Sequence, residues 1–255
     1  MRKERIPGIK IMIKTIQNVF ATNIEIGMNI TVDNPFIEVL DYGFVRLIDS
    51  MGSDLSIVRS ARVSYAADWR SGNDEKSDEK LLRYLWKHKH TSPFESVEFQ
   101  FEIKCPIFVT RQWHRHRTQS YNEVSARYTE LPEEYYVPEH LNAQSVSNKQ
   151  GRDECYVIQN EQEFRELMYE TNKAAFEIYR KLLEAGVTRE LARSVLPMAT
   201  YTRFFAKSNL RNWLHFLELR LDPHAQYEIR VYAEAIKTLI RPIIPVTWEI
   251  LYGNA

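Results

Sequence analysis

Residues 111–128, with the sequence RQWHRHRTQSYNEVSARY, place four arginines and two histidines within eighteen positions. Arginine carries a planar guanidinium fork that matches phosphate and carboxylate groups in a bidentate manner, whereas lysine acts as a point charge. The arginines alternate with hydrogen-bonding side chains rather than with lysines. These side chains are Gln112, Ser120, Asn122, Glu123 and Ser125. The mixture suits a nucleotide, with the arginines at its phosphate and the other groups at its ribose and base.

A basic segment of this kind has a plainer explanation. It can be a solvated charged face or a patch for RNA phosphates, and for most basic runs that explanation is the better one. Here the chain balances 34 Lys and Arg against 34 Asp and Glu, so any basic site must be local. Glu123 also lies among the arginines, where a groove for a polyanion would avoid a carboxylate. A nucleotide- or RNA-binding module without catalysis stays open as the alternative.

The composition limits the class of protein. The 255 residues suffice for one sizeable core or two small ones, and 44% hydrophobic and 27% charged residues are typical of a soluble globular chain. The only cysteines, Cys105 and Cys155, exclude a disulfide scaffold and favour a reducing, cytoplasmic location. No apolar run approaches the ~20 residues of a membrane helix. No cluster has metal-ligand spacing, so we predict no metal site.

Elements before the arginine-rich segment alternate between strand and helix patterns. Residues 36–49, FIEVLDYGFVRLID, are rich in β-branched and aromatic residues and predict a strand or a hairpin. Ser53 can cap a helix that runs to about Tyr65. The leucines and the tryptophan of residues 81–86 indicate a second helix.

A helix start and a strand come next. The sequence SPFE predicts a helix start, with Ser92 as the cap and Glu95 reaching back to it. Alternating apolar residues over positions 97–103 predict a strand directly afterwards. Pro106 then opens an apolar helix that leads into residues 111–128, which lack apolar periodicity and are expected to form a loop.

The C-terminal half predicts mostly helices. A long helix ends at Gly186, and its apolar face comprises Phe164, Leu167, Met168, Ala175, Ile178 and Leu182. A short helix in TRELARSVL, a strand in ATYTRFF and a helix in NLRNWLHFLELRL follow, and Asp222-Pro223 caps a last helix toward Ile240. There is no βαβ rhythm and no glycine-rich phosphate turn. We therefore predict an α+β fold, a mixed or antiparallel sheet flanked by helices, and not a doubly wound dinucleotide fold.

One motif in the arginine-rich segment is specific. Arg115-His116-Arg117, seven residues and then Ser125 resemble the signature of the flavin-dependent thymidylate synthases. The resemblance also covers DLSIVRSARVSY, KHKHTSPFES, LARSVLP, YTRFF and NLRNWLHFLELRLDPHAQYEI, from about Ile37 to Tyr232. It implies the fold of that family over residues 36–255, with residues 1–35 as an N-terminal extension.

The resemblance implies a methyltransferase that converts dUMP to dTMP. The methylene group would come from 5,10-methylenetetrahydrofolate, and NADPH would reduce the FAD that supplies the hydride. The partners would be these small molecules and further copies of the chain, in a homotetramer whose active sites are shared between subunits. Neither cysteine stands in a catalytic setting, which agrees with a mechanism that polarises the uracil electrostatically.

The resemblance also carries site residues onto this sequence. Arg220 matches the family arginine that faces the uracil and favours ionisation at N3, although a helix arginine is otherwise more often a salt-bridge partner. The expected dUMP-binding residues are Gln112, Trp113, His114, Arg115, Glu123, Val124, Ser125, Ala126, Arg127, Arg193 and Arg220. Arg127 is expected at the phosphate, and His114 departs from the aromatic residue common before the signature, which concerns packing more than chemistry.

The expected FAD-binding residues overlap this set. They are Ser92, Arg115, His116, Arg117, Glu123, Asn209, Leu210, Arg211 and His215. Ser92 suits a pyrophosphate because free N–H groups at a helix start attract anions, but it could equally be a plain helix cap. His90 could line the folate pocket or simply end a basic helix. A flavin NADPH oxidase without methyl transfer is a third reading of the same residues.

Overall fold

The main sheet is antiparallel throughout and has five strands. The computed structural model describes residues 35–146 and 151–253, without the side chains of residues 154–157, so the extension predicted over residues 1–35 lies almost entirely outside the described part. The strand order is β1-β2-β3-β7-β4. A separate two-stranded sheet pairs β5 with β6. The strands are β1 Phe36–Val39, β2 Gly43–Met51, β3 Glu98–Pro106, β4 Ser120–Glu123, β5 Asn142–Gln144, β6 Arg152–Val157 and β7 Tyr201–Asn209.

Eight α-helices lie within the described residues. They are α1 Asp54–Arg62, α2 Glu75–Lys87, α3 Ile107–Trp113, α4 Glu161–Glu184, α5 Arg189–Ala192, α6 Leu210–Arg220, α7 Tyr227–Ile240 and α8 Pro245–Tyr252. The absence of a parallel βαβ unit among these elements confirms the predicted α+β class.

The core forms where α6 and α7 meet each other and the sheet. The alternation over residues 97–103 confirms the predicted strand, because Phe99, Phe101 and Ile103 are buried. Trp213 and Tyr232, from α6 and α7, are also fully buried. Each such side chain stabilises the fold by roughly 1.5–3 kcal/mol relative to exposure.

The predicted hairpin of residues 36–49 is confirmed as β1 and β2. Gly43 opens β2 at a point where the chain passes close to α7. A Cβ atom at this position would collide with the Tyr232 hydroxyl oxygen and with the backbone oxygens of Val39 and Lys104. Only glycine therefore permits this approach between hairpin and helix.

The predicted cap at Ser92 is wrong. Thr91 precedes a 3₁₀-helix, Ser92–Ser96, in which Ser92 is the first residue. Glu95 does not reach back along the chain, because its carboxylate pairs with Arg211 of α6 at 2.5 Å. A tertiary ion pair has displaced the local capping contact that the sequence favours.

The arginine-rich segment is not wholly a loop. Residues 114–119 form turns, but Ser120–Glu123 form strand β4. This strand pairs only with β7, at the edge of the sheet, and most of its residues are exposed. An exposed edge strand carries no apolar alternation, so the sequence pattern gave no sign of it.

The last long helix begins later than predicted. Asp222 does not cap it, because its Oδ1 atom accepts a hydrogen bond from the His224 backbone N–H at 2.8 Å within a turn. Helix α7 instead starts at Tyr227 and ends near the predicted Ile240. Asp222-Pro223 thus marks a turn before the helix rather than its first residues.

Helix α4 ends as predicted at Gly186, whose φ of 82° lies in the left-handed region. Its predicted apolar face, however, is not buried within this chain. Phe164, Leu167, Met168 and Ile178 keep 38–62% of their surface exposed. The helix instead packs Phe176 and Tyr179 into a small second cluster with Tyr135 and Ala192.

Candidate active site

The signature motif begins where α3 ends, and a network of hydrogen bonds fixes its turn. The His116 backbone N–H donates to the Trp113 carbonyl at 2.9 Å. The Tyr121 hydroxyl donates to the His116 carbonyl at 2.8 Å, and the Trp113 indole donates to Gln119 Oε1 at 3.1 Å. These contacts hold His116 inward while its arginine neighbours project outward.

Arg220 and His116 form the centre of the site. Arg220 Nε donates to His116 Nε2 at 2.9 Å, and one terminal nitrogen donates to the Gln112 carbonyl at 3.2 Å. Burial is the largest cause that lowers the pKa of His116 from 6.5 to about 4, and the charges of Arg220 and His215 contribute to this shift. The imidazole is therefore neutral at physiological pH, which leaves Nε2 free to accept from the guanidinium.

Burial lowers the pKa of Arg220 as well. The guanidinium nevertheless stays charged, because the ordinary pKa of arginine is very high. The result is a half-buried cation with its donors directed by one imidazole and one carbonyl. Such a fixed cation can stabilise negative charge that develops on a ligand.

Arg115 and Arg117 flank His116 and are both exposed. Neither forms an ion pair with any residue that the structure describes. These two guanidinium groups give the turn a local positive charge in a chain of zero net charge.

Arg127 is less free than these two arginines. Its Nε atom contacts Glu190 of α5 at 3.0 Å, with both side chains more than half exposed. Exposed ion pairs of this kind contribute little, typically about 0–1 kcal/mol, so an incoming phosphate could displace the carboxylate. Arg193 is exposed and lies three positions after Glu190, on the same side of the helical turns.

Strand β4 presents Glu123 beside β7. The Thr202 hydroxyl donates to Glu123 Oε1 at 2.6 Å. The next residue is also bound to β7, since the Val124 N–H donates to the Arg203 carbonyl at 2.8 Å. Within the motif, the Arg127 N–H donates to Ser125 Oγ at 3.3 Å. This part of the motif is held at the sheet edge, where its polar groups stay accessible.

The predicted flavin-binding residues gather around α6. Asn209 caps this helix, with its side-chain oxygen accepting from the Asn212 N–H at 3.0 Å. The Glu95–Arg211 pair joins the start of α6 to the 3₁₀-helix that contains Ser92. His215, one turn before Arg220, is exposed, and its ring centre lies 6.1 Å from that of His116. Helix α6 thus connects the two predicted sets of residues.

Besides His116, three of the predicted binding residues are buried. Trp113 packs between Phe204 and Phe216, while Leu210 and Ala126 also lie in the interior. The Leu210 N–H is already donated to the Val97 carbonyl at 2.7 Å. These side chains therefore pack in the core next to the site and do not form its surface.

Two histidines take positions at its margin. His114 packs against Tyr121 and Phe204, at 4.6 and 5.7 Å between ring centres, in keeping with the predicted packing role. His90 is exposed and joins an aromatic group with Tyr84 and His88. No contact joins His90 to the other site residues within the described part of the chain.

Three residues around the site were missed from the sequence. Thr202 supports Glu123, Gln226 hydrogen-bonds the side chain of Gln112, and Glu228 hydrogen-bonds Gln226. Gln226 and Glu228 follow Arg220 in the matching segment LDPHAQYEI, which was the available signal. Their role could not be inferred because it depends on the contact between α3 and α7.

The remaining chemical features are few. Cys105 is fully buried, and desolvation raises the pKa of its thiol well above the ordinary value. Among the described residues, no group of three His, Cys, Asp or Glu side chains could hold a metal ion. None of the described helices is long and apolar enough to cross a membrane. An open cleft of about 390 Å³ near α8 is lined by Arg241 and Trp248 and contains none of the predicted site residues.

Comparison with known proteins identifies the class. The family model described as "Thymidylate synthase complementing protein" matches residues 46–246. The flavin-dependent thymidylate synthase of Thermus thermophilus is 49% identical over 212 residues, which cover 83% of this chain and 76% of that protein. The enzyme of the same name from Thermosipho melanesiensis is 45% identical, with 83% and 91% covered.

The solved structures agree. The crystal structure of the UMP/dUMP methylase PolB from Streptomyces cacaoi, bound with 5-Br dUMP, superposes with a TM-score of 0.76. It is 37% identical, and the match covers 83% of this chain and 95% of that one. Fold and site thus define an α+β methyltransferase. The chain belongs to the flavin-dependent thymidylate synthase family, and its cofactor is a flavin.

Proposed function

We propose that this chain converts dUMP to dTMP, with 5,10-methylenetetrahydrofolate as the methylene donor and NADPH as the reductant of bound FAD. The observation that carries the proposal is the contact between Arg220 and a neutral His116 beside the exposed Arg115 and Arg117. It combines a fixed, half-buried cation for the uracil with uncompensated cations for the pyrophosphate of a flavin dinucleotide. A reaction between dUMP and bound FAD requires both.

Arg220 acts on the uracil ring. Its guanidinium stabilises negative charge that develops when the ring ionises at N3, and this raises electron density at the carbon to be methylated. His116 accepts from Arg220 Nε, so the remaining N–H groups of the guanidinium keep a fixed direction. In an environment partly removed from water, that charge acts more strongly than it would in bulk solvent.

The phosphate and ribose would contact the arginines and polar groups of the motif. Arg127 contacts Glu190, and Arg193 lies three positions after Glu190, while Glu123 and Ser125 supply acceptors at the sheet edge. We expect the phosphate to displace Glu190 from Arg127, because a phosphate offers a stronger bidentate partner than an exposed carboxylate.

The residues around α6 fit a flavin dinucleotide chemically. Unpaired guanidinium groups at Arg115 and Arg117 suit a pyrophosphate, and the Asn209 amide and the His215 imidazole supply neutral polar contacts. When bound, FAD supplies the hydride that completes the methyl group. The ends of α6 are about 16 Å apart, so one helix could serve both the extended cofactor and the base.

No thiol is required in this scheme. Cys105 is buried in the core, and a thiol of raised pKa is a poor nucleophile. Electrostatic activation by Arg220 takes the place of covalent addition to the pyrimidine. The two cysteines in 255 residues also agree with a reducing compartment, and we expect a cytoplasmic enzyme.

We also propose a homotetramer with shared active sites. The exposed apolar face of α4 supports assembly, since Phe164, Leu167, Met168 and Ile178 would otherwise face water. Arg115, Arg117 and Ser92 likewise lie on the surface of a single chain. Contact with another subunit would enclose them and exclude water from the reaction.

The experiment follows the product and the flavin together. The purified protein should show a flavin spectrum that dUMP perturbs, and it should form dTMP only when dUMP, methylenetetrahydrofolate and NADPH are all present. NADPH consumption without dTMP would indicate an oxidase. A colourless protein that retains RNA would favour the binding-module alternative, which the balanced charge and Glu123 oppose.

A further inference from the structure

A buried carboxylate lies next to the proposed substrate site. Glu228, in the first turn of α7, is 4% exposed. Burial of a carboxylate is costly unless its oxygens are paired. Here Oε2 accepts from Arg152 at 2.6 Å and from the Gln226 amide at 2.8 Å, while Oε1 accepts from the Tyr136 hydroxyl at 3.3 Å. Glu228 is therefore held as an ion with partners on both oxygens.

An ionised carboxylate can only accept hydrogen bonds, and this fixes the amide next to it. Gln226 must turn its NH₂ group toward Glu228, so its carbonyl oxygen faces the other way. That oxygen accepts from the side-chain NH₂ group of Gln112. The carboxylate therefore fixes the orientation of the Gln226 amide, and the Gln226 amide in turn fixes that of the Gln112 amide.

This orientation leaves the side-chain oxygen of Gln112 available as an acceptor. Its NH₂ group is committed to Gln226, and no hydrogen bond from a described residue reaches its side-chain oxygen. The backbone carbonyl of the same residue accepts from Arg220 at 3.2 Å. Gln112 therefore joins this chain of amides to the cation of the site.

We propose that Glu228 is a positioning residue that orients the Gln112 amide through Gln226, so that Gln112 offers the nucleotide an acceptor. The inference rests on the proposed function, because that function makes Gln112 a dUMP contact. The nucleotide group that it contacts is a hydrogen-bond donor, the 3′-hydroxyl of the deoxyribose, because N3 of the uracil loses its hydrogen when the ring ionises. Without Glu228, both amides could rotate and present a donor instead, which would repel such a group.

Arg152 extends the arrangement to a second element. It reaches Glu228 from β6, in the small hairpin that also contains β5. Its guanidinium donates to the buried carboxylate at 2.6 Å, so the carboxylate acts as an acceptor in this contact as well. The hairpin therefore contributes to the site through the contact of Arg152 with Glu228.

The test uses the FAD-loaded protein and measures the Kd of dUMP from its flavin spectrum. Glu228→Gln preserves the volume, but it removes the charge that pairs with Arg152 and lets the new amide offer a donor to Gln226. We expect the Kd to rise about tenfold, with flavin content unchanged and kcat at saturating dUMP changed much less. Glu234→Gln is the matched control, because Glu234 lies on the same helix in a half-exposed pair with Lys237 and should leave the Kd unchanged.

A double-mutant cycle separates orientation from general stability. In a Gln112→Ala background, Glu228→Gln should weaken dUMP binding by less than about twofold, since the amide to be oriented is gone. Additive losses, or an unchanged Kd in Glu228→Gln alone, would overturn the inference. If Glu228→Gln does not fold, Gln226→Leu tests the same relay while keeping the Glu228–Arg152 pair. A parent protein that binds no dUMP would instead contradict the proposed function.

Discussion

Arg220 shows why residue type alone did not establish a role. On the sequence it is a helix arginine near a C-terminus, where a surface salt bridge is the common outcome. In the structure its nitrogens contact an imidazole and a backbone carbonyl, and no carboxylate pairs with it among the described residues. A cation held without a neutralising partner keeps its full field for a ligand.

Replacing Arg220 tests this role. Arg220→Ala should lower kcat by a factor on the order of 10²–10³, because the charge that stabilises the ionised uracil is lost. Flavin content should stay near the parent value, since Arg220 is not among the expected flavin contacts. Arg220→Lys keeps a charge but loses the planar guanidinium fork, so its kcat should lie between that of the parent protein and that of Arg220→Ala. Near-parent turnover of dUMP by Arg220→Ala would show that this assignment is wrong.

His116 gives the site a specific dependence on acid. Its pKa falls from 6.5 to about 4 on folding, so the unfolded chain takes up this proton first as the pH decreases. The corresponding stability is complete above pH 6.5 and is lost as the pH falls toward 4. It amounts to at most about 3 kcal/mol.

The measurement is an NMR titration of the histidine rings, together with denaturant unfolding at several pH values. We expect the His116 ring to stay neutral at pH 5.5 and the free energy of unfolding to fall between pH 6.5 and 4. A His116 ring that titrates near 6.5 would contradict the burial and the Arg220 contact.

At the scale of elements, the pairing of β4 with β7 decides where Glu123 stands. The antiparallel register sets Glu123 opposite Phe204 and leaves Thr202, two positions along β7, within reach of its carboxylate. Thr202 is buried, so its hydroxyl is held in place. The strand pair therefore positions a carboxylate that belongs to the signature motif.

Thr202 variants test whether this contact matters. Thr202→Val keeps the shape and removes the donor, so Glu123 should lose its fixed orientation and the KM for dUMP should rise about fivefold. Thr202→Ser keeps the hydroxyl and should restore a KM near the parent value. Steady-state kinetics with matched flavin content distinguish these outcomes. Equal KM values for the two variants would exclude a role for the hydroxyl.

Elements with an apolar pattern were predictable, and the others were not. Strand β3 and helix α6 were identified because alternation and a helical stripe show directly which residues are buried. Strand β4 was missed because an exposed edge strand follows no such rule. The cap at Ser92 failed because Glu95 found its partner in α6, a contact between segments more than one hundred residues apart.

At the scale of the whole molecule, the long helix α4 exposes apolar side chains that no other described part of the chain covers. The apolar stripe predicted for it stays largely exposed, and the helix buries Asn172, Phe176 and Tyr179 instead. A sequence pattern reports only that a face avoids water. It does not report whether the same chain or another copy covers that face.

Charged substitutions on this face test the assembly. Leu167→Glu combined with Ile178→Glu should reduce the tetramer to smaller species, because carboxylates would enter an apolar contact. Light scattering after size-exclusion chromatography gives the mass, and activity should fall with it. Glu177→Gln, at an exposed position of the same helix, is the control. A tetramer that survives the double substitution would place the interface elsewhere, and a monomeric parent protein would refute the proposed assembly.

The chemistry of the site was predictable to a similar extent. The motif identified Arg115, His116 and Arg117, since that spacing is specific, and the structure brings His116 together with Arg220. Gln226, Glu228 and Arg152 could not be assigned, because they come from three separate elements and act only through contacts. The state of His116 also depended on burial that no local pattern reveals.

The central claim is that fixed cations, rather than a thiol, activate the pyrimidine. The most direct measurement is tritium release from 5-tritiated dUMP by the parent protein and by a Cys105→Ala, Cys155→Ala variant of equal flavin content. We predict release at similar rates in both, and only with methylenetetrahydrofolate and NADPH present. Release that disappears when the cysteines are removed, or that never occurs in the parent protein, would contradict the account.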